Sequence, residues 1–172
     1  MAEVRPFRCI RPDKEAASKV AALPYDVYNR QEAKAIVEKN PLSFLMVDRA
    51  ETQFDDSVDT YAPQVYERAA RTLAAWQQEG ILKEDPEECY YLYELTMNGR
   101  AQTGIVACAS IDNYQSGVIA RHENTREEKE LDRIRHVDVT GAHTGPIFLA
   151  YRSDEVLDRL VEQIREGEAL YD

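Results

Sequence analysis

A chain of 172 residues with 44% apolar residues and a formal net charge of −11 carries enough apolar material for a core without disulfide or metal staples. Its acidic balance, with a pI near 4.8, argues against nucleic acid and anionic membrane surfaces as partners, because both need clustered Lys and Arg. No apolar run reaches the roughly 18 residues that span a bilayer.

The opening MAEVRPFRCI lacks the charged-then-apolar order of a secretory signal, so the expected location is the cytoplasm. Cys9, Cys89 and Cys108 are an odd set without a C-x-x-C pair, which indicates neither a disulfide framework nor a zinc knuckle. Cys108, inside GIVACASI, reads as a small buried hydrophobe.

VRPFRCI (4–10) predicts a short strand, and DKEAASKVAA (13–22) a helix capped by Asp13 and stopped before Pro24. NRQEAKAIVEKN predicts a helix capped by Asn29 and ended at Asn40-Pro41, followed by a strand at SFLMV (43–47). The acidic stretch 48–59 reads as a mobile surface loop. From Tyr61, apolar residues at Val65, Ala69, Leu73 and Trp76 mark a helix with Gly80 at its C-terminal cap.

Asn98-Gly99 between CYYLYEL and RAQTGIVACASI predicts an antiparallel hairpin, since both central residues of a type I′ turn need positive φ. GIVACASI, apolar on both faces, suits a central strand. VIARHE (118–123) and GPIFLAY (145–151) predict two more strands, with a helix from about 126 between them and a closing helix over 153–167. Strands and helices mix without regular alternation. The class is therefore α+β, a mixed or antiparallel sheet with flanking helices in a single domain over residues 1–172.

Thr125-x-x-Glu128 has the form of a capping box, which places Arg121, His122 and Glu123 at a strand end beside a helix start that favours an anion. Lys129, Arg133 and His136 follow at i, i+4 and i+7, within about 60° of arc. Leu131, Ile134 and Val137 mark another face, read as the buried one. Two readings fit the cations: an anion site, or a solvated face offsetting Glu128, Asp132 and the other acids. Asp26 in LPYDV is either a catalytic carboxylate on an irregular segment or a turn aspartate. The loop GAHTGP (141–146) is either a phosphate cradle or a plain connection.

Metal ligation by His122 and Glu123 finds no support, because no H-E-x-x-H exists and the other histidines stand at no ligand spacing. P-loop, G-x-G-x-x-G and G-x-S-x-G motifs are absent as well.

Taken together, RPFRCIRPDKEAASKVAALPYDV, NPLSFLMVDRAE, YYLYEL, GIVACASIDNYQSGVIARHENTREEKELDRI and TGPIFLAY resemble the N-terminal part of the DUF1015 family. The most specific elements are ALPYDV and RHENT followed by KE and DR. That resemblance implies kinship with ParB/sulfiredoxin-like kinases of free serine and elements of their fold. It implies phosphoryl transfer from ATP or ADP with Mg²⁺ to a small amino-acid hydroxyl. Arg121, His122, Thr125, Lys129 and Arg133 would then hold phosphates, and Glu123 or Asp26 would serve as the catalytic carboxylate. The family's DGHHR motif is missing, so the chain is expected to be the N-terminal portion of a longer protein, inactive without its C-terminal half. The alternative expectation is a non-catalytic regulatory module that binds a nucleotide or amino acid. Either way the expected partner is a small molecule, and a homo-oligomer is allowed.

Overall fold

The structure, a computed structural model, describes residues 2–122 and 124–171. In chain order the elements are β1 (Val4–Arg5), β2 (Ile10–Pro12), α1 (Ala17–Val20), α2 (Arg30–Lys39), α3 (Leu45–Asp48), α4 (Pro63–Gln78), β3 (Leu82–Glu84), β4 (Tyr91–Met97), β5 (Arg100–Val106), β6 (Cys108–Ala109), α5 (Ile111–Gln115), α6 (Glu127–Thr140) and α7 (Glu155–Arg165). Short 3₁₀ turns stand at Tyr25–Val27 and Ala50–Gln53. The strands pair two by two, β1 with β6, β2 with β3 and β4 with β5. The class is α+β as the sequence predicts. No helix among the described residues is long and apolar enough to cross a membrane. The chain divides into two compact units, the first made of Met1–Ile10, Glu84–Glu123 and Pro146–Asp172, the second of Arg11–Lys83 and Asn124–Gly145.

The second unit holds every buried residue among those described. Its central helix is α4, where Pro63 occupies the first turn at no hydrogen-bonding cost and Val65, Tyr66, Ala69, Leu73 and Trp76 are buried at helical spacing. Gly80, at φ 72°, follows the helix in the left-handed conformation that glycine adopts without strain. Helix α2 starts as expected, with a reciprocal capping box in which Asn29 accepts from the Glu32 amide and Glu32 accepts from the Asn29 amide.

Four expectations in this unit are corrected. Residues 43–47 form no strand, because Leu45 and Val47 sit in the helical turn of α3 and are buried at 1% and 0% exposure; a short apolar run does not by itself distinguish strand from helix. The stretch 48–59 is pinned, since the Arg30 guanidinium donates to the carbonyls of Val58 and Asp55, and Glu51 and Thr52 are buried. Asp13 caps no helix: α1 spans four residues without a side-chain cap, while the Asp13 carboxylate accepts from the Glu15 amide and pairs with Lys83. Thr125 does not cap α6, which begins at Glu127 with Arg126 at the cap position and no side-chain cap bond.

The first unit is assembled from a hairpin, short strand pairs and helices. Asn98 and Gly99 adopt φ of 53° and 77°, as a type I′ turn requires, and register β4 on β5 from Tyr91 opposite Val106 to Met97 opposite Arg100. The strand expected over 4–10 is broken into β1, which pairs Val4 with Ala109 and Arg5 with Cys108, a bridge between Phe7 and Cys89, and the start of β2. GIVACASI is not a central strand; it is split between β5 and β6, each in a two-stranded pair, and Cys108 is exposed. Residues 111–115 form a helix, α5, whose Ser110 side chain accepts from the Asn113 amide. No strand forms over 118–122 or 145–151. Helix α7 matches the expected closing helix and is capped by Asp154, which accepts from the amides of Val156 and Leu157.

Candidate functional site

Helix α6 packs on α4 inside the second unit, and it does so with its polar face. Asp132 and His136 are buried at 8% and 3% exposure, whereas Leu131 and Ile134 are 46% and 49% exposed. Of the three residues read from sequence as the buried face, Leu131 and Ile134 are thus exposed and Val137 is half-buried. Burying polar groups is costly unless each finds a partner, and Asp132 finds two. Its Oδ1 accepts from the Tyr66 hydroxyl at 2.8 Å, and its Oδ2 accepts from Arg133 Nη2 at 2.8 Å and Nε at 3.1 Å. Burial and the adjacent Asp132 carboxylate push the Tyr66 phenol upward, so it stays protonated as the donor.

Between this face and the segments 25–28, 47–51 and 60–69 lies a cavity of about 270 Å³. Its side wall is held by Arg49, whose Nη1 donates to the carbonyls of Tyr28 at 2.6 Å and Tyr25 at 2.9 Å and whose Nε pairs with Glu51 at 2.6 Å. Those bonds fix the 3₁₀ turn that carries Asp26. Arg133 stacks its guanidinium over the Tyr25 ring, 4.3 Å from the centroid. Lys129 donates to the Tyr61 hydroxyl at 3.0 Å, a bond that raises the pKa of its ammonium.

The floor is formed by His136 and Asp48. Asp48 accepts from the Thr144 hydroxyl at 2.6 Å, which ties residue 144 to α3. Burial raises the Asp48 carboxyl, against the lowering effects of the Thr144 bond and the Arg133 charge. His136 Nε2 lies 3.8 Å from Asp48 Oδ1, too far for a hydrogen bond, and this buried nitrogen has no hydrogen-bond partner. Burial, followed by the Arg133 charge, lowers the imidazole to about 4 against the opposing pull of Asp132. At neutral pH the ring is uncharged and offers one donor and one acceptor.

Of the site residues expected from sequence, Asp26, Lys129 and Arg133 line this one cavity. Thr125 belongs to the same unit, is exposed, and is not among the lining residues. Arg121 and His122 are exposed residues of the first unit. Glu123 lies outside the described residues. Sequence reasoning missed Asp48, Arg49, Glu51, Tyr66 and Asp132. Asp132 was legible in principle, because 129, 132, 133 and 136 complete one helical stripe.

No group of three or more His, Cys, Asp or Glu residues suited to a metal ion exists among the described residues. The cavity is slightly smaller than the roughly 300–1,000 Å³ of typical ligand sites. Its volume is on the scale of a small molecule.

These features define an α+β chain whose helical unit carries a small cavity lined by charged, aromatic and apolar side chains. The chain belongs to the DUF1015 family, described as a protein of unknown function, which it matches over residues 4–172. Among curated proteins and among solved structures, none matches it.

Proposed function

We propose that the second unit binds a small, anionic, hydroxyl-bearing molecule of amino-acid size, and that this molecule is the phosphoryl acceptor of a nucleotide-dependent kinase in the cytoplasm. One observation carries the reading: Lys129, Arg133, Asp26, Asp48 and a buried, unpartnered His136 nitrogen line a single cavity. The two cations offer a place for a carboxylate or phosphate. The carboxylates supply what phosphoryl transfer asks of a protein, a group that orients an attacking hydroxyl. The kinase part rests on the kinship to ParB/sulfiredoxin-like serine kinases suggested by ALPYDV and RHENT. In it ATP or ADP, with Mg²⁺, contacts residues beyond this cavity.

The test is calorimetric titration with L-serine and O-phospho-L-serine, paired with a radiometric assay of phosphoryl transfer from ATP and from ADP to L-serine. Saturable binding that Lys129→Ala weakens about tenfold, equivalent to about 1.4 kcal/mol, supports the site. Binding without transfer favours a regulatory module, the second reading, and no binding of either ligand refutes the site itself.

A further inference from the structure

Most polar groups around the cavity are already satisfied. Both oxygens of Asp132 are engaged, by Tyr66 and by Arg133. Arg49 is committed to Glu51 and two carbonyls. His136 is the exception: its side chain is 4% exposed and its Nε2 makes no bond. A buried donor or acceptor left unpaired is destabilising, a cost that a ligand removes by bonding to it.

We infer that Asp48 and His136 form a hydroxyl-recognition pair that selects small hydroxy acids over their deoxy counterparts. The inference rests on the binding site proposed above and names what its floor recognises. With Asp48 Oδ1 and His136 Nε2 separated by 3.8 Å, an oxygen placed about 2.8 Å from each closes the triangle at ordinary hydrogen-bond lengths. A hydroxyl is the group that satisfies both sides at once. It accepts from the imidazole N–H and donates to the carboxylate, whereas a second carboxylate meets Asp48 with like charge and a methyl leaves both partners bare. Thr144 donates to the same Asp48 oxygen at 2.6 Å and thereby fixes the carboxylate's position. Lys129 and Arg133, lining the same cavity, receive the acid group at the other end of such a molecule. The ligand class that fits is a short α- or β-hydroxy carboxylate.

The experiment is a comparison of matched ligands by calorimetry on the intact wild-type chain: L-serine against L-alanine, and (S)-lactate against propionate. The expected result is that each hydroxylated ligand binds at least about tenfold more tightly than its partner. In Asp48→Asn and His136→Phe, checked for native circular dichroism, the preference falls to within about twofold. Equal binding of both members of each pair by the wild type overturns the inference while leaving the binding site standing. Absence of binding by all four ligands overturns both. The wild-type comparison needs no folded variant, so misfolding of either substitution leaves it decisive.

Discussion

Replacing His136 by glutamine removes a buried group whose titration is set by its surroundings, and the effect on stability has a calculable pH dependence. Burial and Arg133 lower the imidazole from 6.5 to about 4. The unfolded chain therefore binds this proton more tightly than the native one. The stability that this difference contributes is fully present above pH 6.5 and is lost as pH falls toward 4. At about 1.4 kcal/mol per pH unit, the full loss is about 3 kcal/mol, of which about 2 has gone by pH 5. The groups facing the ring are Asp48, Asp132, Arg133 and Tyr66. Asp48 acts in the opposite sense, because its raised carboxyl favours the native state as pH falls, but it is common to both proteins and largely cancels in the comparison. Urea unfolding of the wild type and His136→Gln at pH 7 and pH 5 reads the difference directly. The wild type is expected to lose about 2 kcal/mol more than the variant over that interval. Parallel losses, within about 0.5 kcal/mol, would refute the assignment of His136 as a buried neutral imidazole.

Glu51→Ala strips the partner from Arg49 in an ion pair whose side chains are 3% and 14% exposed. Breaking such a pair costs about 3–5 kcal/mol, visible as a lowered urea midpoint; a loss below about 1 kcal/mol would contradict the pinned 48–59 segment. Asn29→Ala removes the capping box of α2 and is expected to cost about 1 kcal/mol by the same measurement. Thr125→Ala should change stability by less than about 0.5 kcal/mol, since no side chain caps α6; a loss near 1 kcal/mol would restore the capping box that the sequence suggests.

Local signals were legible wherever one physical cause dominates. Asn98-Gly99 specified its hairpin because few other residues take positive φ at both positions. Helix α4 and the Asn29 cap of α2 were legible for comparable reasons, a periodic apolar face and a reciprocal side-chain cap. Residues 43–47 were misread because the four apolar residues after Ser43 are compatible with both periods, and the buried turn of α3 is decided by packing against the rest of the second unit. The site was half legible. Lys129, Arg133 and His136 were seen to share a face, but the rule that apolar faces turn inward pointed α6 the wrong way. Tyr66 accounts for the reversal, because its hydroxyl reaches Asp132 from a helix position 66 residues earlier and gives the buried carboxylate a partner. Asp48 and Arg49 sit in a stretch whose acidity resembles a loop, and its order comes from long-range partners, Arg30 on the carbonyls of Asp55 and Val58 and Arg49 on those of Tyr25 and Tyr28.

Uniform ¹⁵N labelling makes the His136 imidazole observable by NMR at the floor of the cavity. Titration with L-serine at pH 7 is expected to shift the His136 Nε2 resonance saturably while leaving the exposed His143 unmoved, as a ligand hydroxyl engages the unpartnered nitrogen. No shift at His136 under L-serine concentrations that saturate a calorimetric binding curve would place the ligand elsewhere and contradict the cavity as its site.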